Sequence, residues 1–589
     1  MHYRTNRFSS GFTSEADGPG FFLAADGKTR PRSEMVATLA AFFSSVKLKP
    51  HGMTPQCTFP ARLAWLREAL EITLDELPLE RCDRYEAWRD AADPISVSLI
   101  FSSYFLNNPA SMFGHTLLRF NKRGRTDSER LLDYAVNYAA SVDLAKEPAV
   151  VYIFKGLIGG YLGYFSAMPY HLKVKEYNDL ESRDLWEYEL NLDERQAQFV
   201  LMHEWELEST AFDYYFFDEN CSYHLLSLIE VARPELRLTD QFTVWTLPSD
   251  TVRVVAEQPG LVSRVVYRPS RASRMRQKLA LLSSQEKTAV ADLISRRVDP
   301  GGEEIAGFDT LRRAIVLDAA VDMLQTRIAD QKEPTPADRA ALRAMLLTRS
   351  RLGTPYNPDS LPPQGTPPDS GHASSRVTLA AGADGTGARI VEASGYLSFH
   401  DLLSGDDGYA PNSQILLGHL KLRWPDTNVQ PQVERLALMD VVSLYPLSSL
   451  VKAPSWKIGL GWQRVRDPAC NGCLPFFLTI GIGVTGQWDA WRREVAFVLL
   501  EGVAEWDTAM PQGHRAGFGL TAGLLVDLAS TWRVGVTASQ IEYSAGAAGG
   551  VLRWAFQQRV SLGKNWEVRL DWRGEAAYTE ALLGVGWFF

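Results

Sequence analysis

Hydrophobic and polar positions alternate with a period of two over the last third of the chain, which is the spacing of a β-strand. In NWEVRLDWR (565–573), every second residue is tryptophan, valine or leucine, and charged residues stand between them. SWKIGLGWQ (455–463) and GFGLTAGLLVDL (517–528) repeat the alternation with glycine or polar partners. About twelve such segments of roughly ten residues predict an all-β domain of about 12 antiparallel strands over residues 375–589.

The strand pattern favours a transmembrane barrel of the outer-membrane type. Aromatic residues stand near the predicted strand ends, and the closing segment LLGVGWFF (582–589) resembles the terminal aromatic strand of bacterial outer-membrane barrels. The alternative is a soluble β-sandwich or lipocalin-like barrel, whose apolar residues would point inward. Glycine and charged residues on the second face fit a crowded polar lumen, and this predicts the membrane barrel.

The rest of the chain divides into four further segments. Residues 1–90 contain two runs with helical spacing and predict a small α-rich lead-in domain. Residues 91–255 mix strand-like runs with helices, which predicts an α+β domain. Residues 256–352 predict a helical spacer, and residues 353–374 are a linker rich in proline, glycine and serine.

Composition limits the possible partners. The chain has 589 residues and a formal net charge of -9, and it lacks the basic clusters that bind phosphates, so we expect no nucleic-acid partner. The first residues, MHYRTNRFSSGF, lack the charged-then-apolar pattern of a signal peptide. Since they resemble a start inside a domain, we expect the leader to be missing from this chain.

The five cysteines separate into two pairs and a single thiol. Cys57 and Cys82 share one N-terminal region, Cys470 and Cys473 lie three residues apart, and Cys221 stands alone. An oxidising compartment would allow both pairs to form disulfides and leave Cys221 free. The alternative is that all five thiols are reduced and buried.

Cys221 stands at the predicted start of a helix in FFDENCSYHLLSLIEVARP (216–234), where Asp218 and Asn220 are the candidate N-cap residues. A helix N-terminus and an adjacent histidine together lower a thiol pKa and make a nucleophile. His115 opens a strand-like run and is the candidate histidine. His224 lies one turn along the same helix and is equally well interpreted as a packed surface residue.

A hairpin between GHTLLRF (114–120) and LLDYAVNYAA (131–140) would bring His115 roughly opposite residues 135–137. Asn137 is then the candidate third member of a Cys/His/Asn set, and Asp133 is the competing residue. Outside such a set, His115 would be an ordinary core histidine.

Three separated segments closely resemble the Lnb-type N-terminal periplasmic domain of bacterial lipoprotein-modifying enzymes. They are NNPASMFGHTLLRF (107–120), GGYLGYFSAMPYHLKVKEYNDLESRDLWEYELNL (159–192) and FDENCSYHLLSLIE (217–230). The resemblance implies a permuted papain-like fold of the NlpC type, with Cys221 as nucleophile and His115 as general base. The best-known relatives carry transmembrane helices and move an acyl chain within a lipoprotein, from its N-terminal amine to the glycerol.

The resulting hypothesis is a thiol-dependent acyltransferase or hydrolase that is held in the Gram-negative outer membrane with its catalytic domain in the periplasm. Its expected partners are lipoprotein or phospholipid substrates and outer-membrane lipid. We expect no cofactor or metal, since the sequence has no phosphate-binding loop, no HExxH and no complete zinc set. The alternatives are an amide hydrolase that cleaves peptidoglycan peptides and a non-catalytic binding module on a barrel.

Overall fold

The structure of the protein is a computed structural model that forms two compact units, residues 1–364 and 365–589. It describes residues 2–5, 11–18, 20–49, 52–73, 75–104, 112–127, 129–142, 147, 149–243, 245–329, 333, 335–353, 365–425, 430–447, 453–466, 470, 472–546 and 549–589. Half of the predicted linker, residues 354–364, therefore lies outside the described residues.

The first unit begins with a two-stranded ribbon and four helices. Their bounds are β1 (Tyr3–Thr5), β2 (Phe12–Ser14), α1 (Pro31–Ala41), α2 (Pro55–Thr58), α3 (Pro60–Ala69) and α4 (Asp83–Ala92). A disulfide joins Cys57 in α2 to Cys82, the residue before α4. Cys470 and Cys473 form a second disulfide and Cys221 is free, so the predicted pairing is confirmed.

The centre of the first unit is a seven-stranded sheet in which all neighbouring strands are antiparallel. Its strands are β3 (Pro94–Ser102), β4 (His115–Lys122), β5 (Tyr134–Ala140), β6 (Tyr161–Pro169), β7 (Leu185–Leu190), β8 (Phe212–Tyr214) and β9 (Val262–Arg268). Their order across the sheet is β8-β6-β5-β4-β3-β7-β9. β4 is thus a central strand, and its first residue, His115, pairs with Ser102 of β3.

Five helices accompany the sheet: α5 (Ala149–Ile158), α6 (Tyr170–Val174), α7 (Glu194–Leu207), α8 (Cys221–Ala232) and α9 (Pro248–Glu257). α8 packs against β4, β5 and α7. Its Leu225, Leu226, Leu228 and Ile229 are fully buried in the main core. The predicted α+β class is confirmed, and the permuted papain-like arrangement stays a prediction.

Five more helices follow the sheet: α10 (Arg271–Ala280), α11 (Ser284–Ile294), α12 (Glu303–Ala306), α13 (Thr310–Ala329) and α14 (Pro336–Arg351). The run 273–297 divides into α10 and α11 at Ser283. Ser283 accepts from the Glu286 backbone N–H, and the Glu286 carboxylate accepts from the Ser283 backbone N–H. This capping box starts a new helix and explains the break.

The second unit is a closed antiparallel barrel. Its strands are β10 (Arg376–Asp384), β11 (Arg389–Tyr396), β12 (Ser398–His400), β13 (Ser413–Pro425), β14 (Gln432–Ser443), β15 (Ser455–Gln463), β16 (Phe476–Trp488), β17 (Glu494–Trp506), β18 (His514–Ala529), β19 (Trp532–Ala545), β20 (Gly549–Ser561), β21 (Trp566–Glu575) and β22 (Tyr578–Phe588). β10 pairs with β22, and β11 pairs with β13, which closes the ring. Leaving aside the three-residue β12, the barrel has 12 strands, as predicted.

The apolar face of the barrel points outward. On β21, Trp566 and Trp572 are each 51% exposed, whereas Glu567 and Arg569 are buried inside. A charged residue on a lipid-facing surface at the bilayer midplane costs about 2–4 kcal/mol, so this orientation fits a membrane and not water. The soluble alternative with an apolar interior is therefore wrong.

Aromatic residues form two belts near the barrel ends. One belt contains Trp488, Trp532, Trp566 and Trp587, and the other contains Trp462, Phe476, Trp506 and Trp572. On β16, the two belts are twelve residues apart, which corresponds to about 30 Å along the barrel axis for tilted strands. This height matches the hydrocarbon core of a bilayer.

No helix among the described residues is both long and apolar enough to cross a membrane.

Candidate functional site

Cys221 is the first residue of α8. Asn220 is the N-cap, as predicted, and its side-chain oxygen accepts from the backbone N–H groups of Ser222 and Tyr223 at 3.1 and 3.2 Å. Its amide group donates to two backbone carbonyls, Phe216 at 3.0 Å and Thr246 at 2.6 Å. Because this side chain binds both the helix and the preceding loop, the position of the cysteine is fixed from both directions.

The Cys221 thiol is buried, with 5% of the residue exposed. Burial is the main influence on the pKa of this thiol, and the backbone N–H groups of Thr116 and Ser222 and the hydroxyl of Tyr214 act against it. Burial nevertheless outweighs these donors and raises the pKa of Cys221 to about 11. The lowered pKa that a helix N-terminus predicts is therefore not found in this closed site, because desolvation of the thiolate dominates.

His115 follows a glycine that the turn requires. Gly114 has a φ of +85°, and a Cβ there would lie 2.5 Å from the ring of Phe101. The Nε2 atom of His115 lies 2.6 Å from the Oδ1 atom of Asn137. Since a carboxamide oxygen only accepts, Nε2 donates, and the lone pair of the ring is on Nδ1.

The competing residue, Asp133, has different neighbours. It is buried, and its carboxylate lies 3.2 Å from the Nε atom of Arg125. Asn137, and not Asp133, thus meets His115 in this structure.

The imidazole of His115 is neutral at physiological pH. Burial is the main cause that lowers its pKa to about 3, against the raising effect of the Asn137 hydrogen bond, and the charge of Arg183 lowers it further. Among the described contacts of the site, none is a direct hydrogen bond between His115 and Cys221. The resting site is therefore a neutral thiol near a neutral imidazole.

The histidine and cysteine segments meet in space although about a hundred residues separate them. The helix that begins at Cys221, α8, packs against β4, the strand that begins at His115. One residue before Gly114, the ring of Phe113 packs edge-on against Phe217, with centroids 5.5 Å apart. Residues 105–111 of the histidine segment lie outside the described residues.

Tyrosines surround the thiol, and the sequence analysis did not select any of them. Tyr177 packs on His115 with ring centroids 5.7 Å apart, and Tyr152 of α5 is 6% exposed. Burial, and secondarily the charge of a Cys221 thiolate, raises the pKa of Tyr152 to about 12. Tyr214 and Cys221 influence each other's pKa: the Tyr214 hydroxyl lowers that of Cys221, and burial, with the charge of a Cys221 thiolate second, raises that of Tyr214. The aromatic run DYYFF (213–217) just before the cysteine was the available signal.

Two other features of the domain have clear positions in the structure. His224 is fully buried and not on the surface, with its ring 4.5 Å from Tyr138 and 4.6 Å from Phe212. The glycine-rich segment 153–169 forms the end of α5 and all of β6. Gly159 makes the turn between them with a φ of +78°.

The raised thiol pKa predicts slow alkylation of the native protein by iodoacetamide. At pH 8, a pKa of about 11 leaves roughly 0.1% of Cys221 as thiolate, against roughly a quarter of an ordinary thiol. We expect labelling at least about 100-fold slower than in urea-unfolded protein, with a rate that rises about tenfold per pH unit up to pH 10. Rapid labelling near pH 7 would contradict a closed, neutral site.

The family comparison assigns part of the first unit. Residues 84–258 match the model of the Lnb N-terminal periplasmic domain. Residues 1–69, 265–361 and 365–588 match three models that are each described as a domain of unknown function. No curated protein matches the chain.

Solved structures with similarity to this chain include outer-membrane porins. The KdgM porin in complex with disordered oligogalacturonate has 11% identity and a TM-score of 0.23, and 36% of this chain and 99% of that chain are covered. The NanC porin has 9% identity and a TM-score of 0.24, with 36% and 98% covered. Omp33 of Acinetobacter baumannii has 12% identity and a TM-score of 0.20, with 37% and 99% covered.

The barrel geometry and the periplasmic-domain match give the location of the protein. The outward apolar face, the two aromatic belts and the closed ring of 12 strands are those of an outer-membrane protein. The first unit contains the domain that the family model describes as periplasmic. Residues 84–258 are thus similar to the Lnb N-terminal periplasmic domain, and an outer-membrane β-barrel follows them in the same chain.

Proposed function

We propose that the protein is a thiol-dependent acyltransferase or hydrolase that acts on lipoproteins or other acylated envelope lipids through a thioester on Cys221. The observation that carries the proposal is the packing of α8, which begins at Cys221, against β4, which begins at His115, together with the His115–Asn137 pair. A cysteine, a histidine with a free ring nitrogen and an orienting amide are the parts that nucleophilic thiol catalysis needs.

Acyl transfer would begin with proton transfer from the Cys221 thiol to Nδ1 of His115 as the sulfur attacks an acyl carbonyl carbon. The C–S bond forms, the bond to the alcohol oxygen or amine nitrogen breaks, and the leaving group takes the proton from His115. An acceptor amine, hydroxyl or water then gives a proton to His115 and attacks the thioester. The C–S bond breaks, and the sulfur regains the proton from His115.

The surroundings of the thiol favour an acyl substrate over a peptide. Tyr152, Tyr177 and Tyr214 enclose it with aromatic surface, and Phe216 packs on Tyr152 with ring centroids 5.0 Å apart. Cleavage of peptidoglycan peptides would need a polar groove to satisfy the peptide backbone. A barrel anchor also confines the enzyme to the membrane that contains lipid-linked substrates, which raises their effective concentration.

The proposal is tested with the detergent-solubilised full chain and a synthetic diacylated lipopeptide. We expect a hydroxylamine-sensitive acyl adduct, mapped by mass spectrometry to the peptide that contains Cys221. Muropeptides are tested in parallel as the substrate of the alternative function, peptidoglycan cleavage. Cleavage of muropeptides without any acyl adduct would move the assignment to an amide hydrolase, and no reaction with either substrate would favour a binding module.

Tyr214 has the geometry of an oxyanion donor. Its hydroxyl acts on the pKa of the Cys221 thiol, and in the proposed mechanism this hydroxyl and the Cys221 backbone N–H would donate to the oxygen of a tetrahedral intermediate formed at the sulfur. We expect Tyr214→Phe to lower the acylation rate about 100-fold with little change in KM. Tyr164→Phe, at a 41% exposed tyrosine of β6, is the matched control. If the two substitutions lowered the acylation rate equally, Tyr214 would not be an oxyanion donor.

A further inference from the structure

One connection of the barrel turns into the lumen. Tyr396, the last residue of β11, pairs with Arg376 at the start of β10, and Arg376 pairs with Phe588 at the end of β22. The connection from β11 to β13 therefore lies at this end, which we call the proximal mouth. Its residues 401–408 (DLLSGDDG), which we call the plug segment, follow β12 and contact inward-facing side chains of the barrel wall.

Buried arginines hold the plug segment at two points. Asp401 lies 2.8 Å from guanidinium nitrogens of both Arg376 on β10 and Arg569 on β21. Asp406 lies 2.9 Å from the guanidinium of Arg533 on β19. The same guanidinium donates to the backbone carbonyl of Ser404 at 2.9 Å. These charge-assisted bonds fix both the carboxylates and the backbone of the segment.

An apolar contact joins the plug segment to the opposite wall. Leu403 is 4% exposed and belongs to a buried cluster with Val442 of β14, Phe497 of β17 and Leu525 of β18. In the ring of 12 strands, β17 is six strands from β10 and thus faces it across the barrel. The segment therefore spans the lumen from the arginines on one side to the apolar cluster on the other.

Beyond the plug segment, oppositely charged residues are paired along the inner wall of the barrel. Arg423 of β13 lies 2.8 Å from Glu392 of β11 and 2.7 Å from Glu580 of β22. Lys457 of β15 lies 3.1 Å from the carboxylate of Glu501 on β17. A cavity of about 490 Å³ remains in the lumen, lined by these glutamates and Lys457 and by Asp401, Leu402 and Leu403 of the plug segment. An open pore would instead leave a continuous aqueous path past such residues.

We propose that the plug segment closes the proximal mouth, so that the barrel is a membrane anchor and not an open channel. Three kinds of contact carry this inference: the paired arginines, the backbone bonds from Arg533 and the apolar seal at Leu403. It is independent of any chemistry at Cys221, because every residue involved belongs to the second unit.

The test is the conductance of the full-length protein in planar lipid bilayers in potassium chloride. We expect the wild-type protein to show no steady conductance above the bare bilayer. Replacement of residues 401–408 by eight Gly/Ser residues should raise the conductance at least tenfold. The control replaces residues 507–513, the β17–β18 connection at the other mouth, in the same way and should stay closed. Heat-dependent mobility on SDS gels checks that each barrel is folded.

A second variant tests the proposal in case the Gly/Ser replacement of residues 401–408 fails to fold. Asp401→Asn with Asp406→Asn keeps the size of both side chains but removes the charges that bind Arg376, Arg569 and Arg533, and we expect it to open intermittently. Steady conductance of the wild-type protein would overturn the proposal without any variant. Closed channels in a folded replacement or in the folded double variant would overturn it as well, because the closure would then lie elsewhere in the barrel.

Discussion

Replacement of Cys221 by serine is expected to lower acyl transfer by at least about 10⁴-fold and to abolish the hydroxylamine-sensitive adduct. The reason is chemical, since a buried hydroxyl next to a neutral imidazole is a much weaker nucleophile than the sulfur that it replaces. Rates of deacylation and transfer with a diacylated lipopeptide provide the measurement.

The matched control for this substitution is Ser227→Ala. Ser227 lies on the same helix and is also buried, and its hydroxyl donates to the backbone carbonyl of His224 at 2.8 Å. We expect this variant to keep its activity within a few-fold, with a small loss of stability of about 1 kcal/mol. If Cys221→Ser retained activity, the thioester would not be an intermediate.

Replacement of His115 by alanine is expected to lower the acylation rate by about 10³–10⁴-fold, because the thiol, whose pKa is raised to about 11 by burial, then has no base to accept its proton. The neutral imidazole, whose pKa is lowered to about 3, can accept this proton at all pH values above about 4. Since the group is a base when deprotonated, activity should fall as the pH decreases through that pKa and not near pH 6.5.

Asn137→Ala separates orientation from proton transfer. It removes the 2.6 Å hydrogen bond to Nε2 but leaves the ring, so we expect a smaller loss of about 10–100-fold. His171→Ala, at an exposed histidine of α6, controls for the loss of an imidazole elsewhere in the domain. Equal losses for His115→Ala and His171→Ala would exclude His115 as the general base.

The barrel could be predicted from the sequence because its period of two is a local property. Each strand places alternate side chains on opposite faces, so Trp566 and Trp572 are separated from Glu567 and Arg569 whatever the neighbouring strands are. The helix cap at Asn220 is also a local property, because its side chain caps a helix that begins one residue later. Such features depend on sequence separations of a few residues and need no knowledge of the fold.

The chemistry of the site depended on contacts that only the tertiary structure decides. Asn137 and Asp133 are four residues apart on the chain, and the sheet brings only Asn137 to the imidazole of His115. The sequence predicted a lowered pKa for Cys221, whereas burial among aromatic side chains raises it. Desolvation is the sum over everything that surrounds a group, so it cannot be derived from its neighbours along the chain.

The sequence by itself thus determined the α+β domain and the strand count of the barrel, and it favoured the lipid-facing side of each strand and Cys221 as the unpaired thiol. The tertiary structure decided between the alternatives, buried that thiol and placed the plug segment in the lumen. The physical reason is the range of the interactions. Periodicity and capping act within one element, whereas burial, hydrogen-bond partners and ion pairs join residues from separate elements.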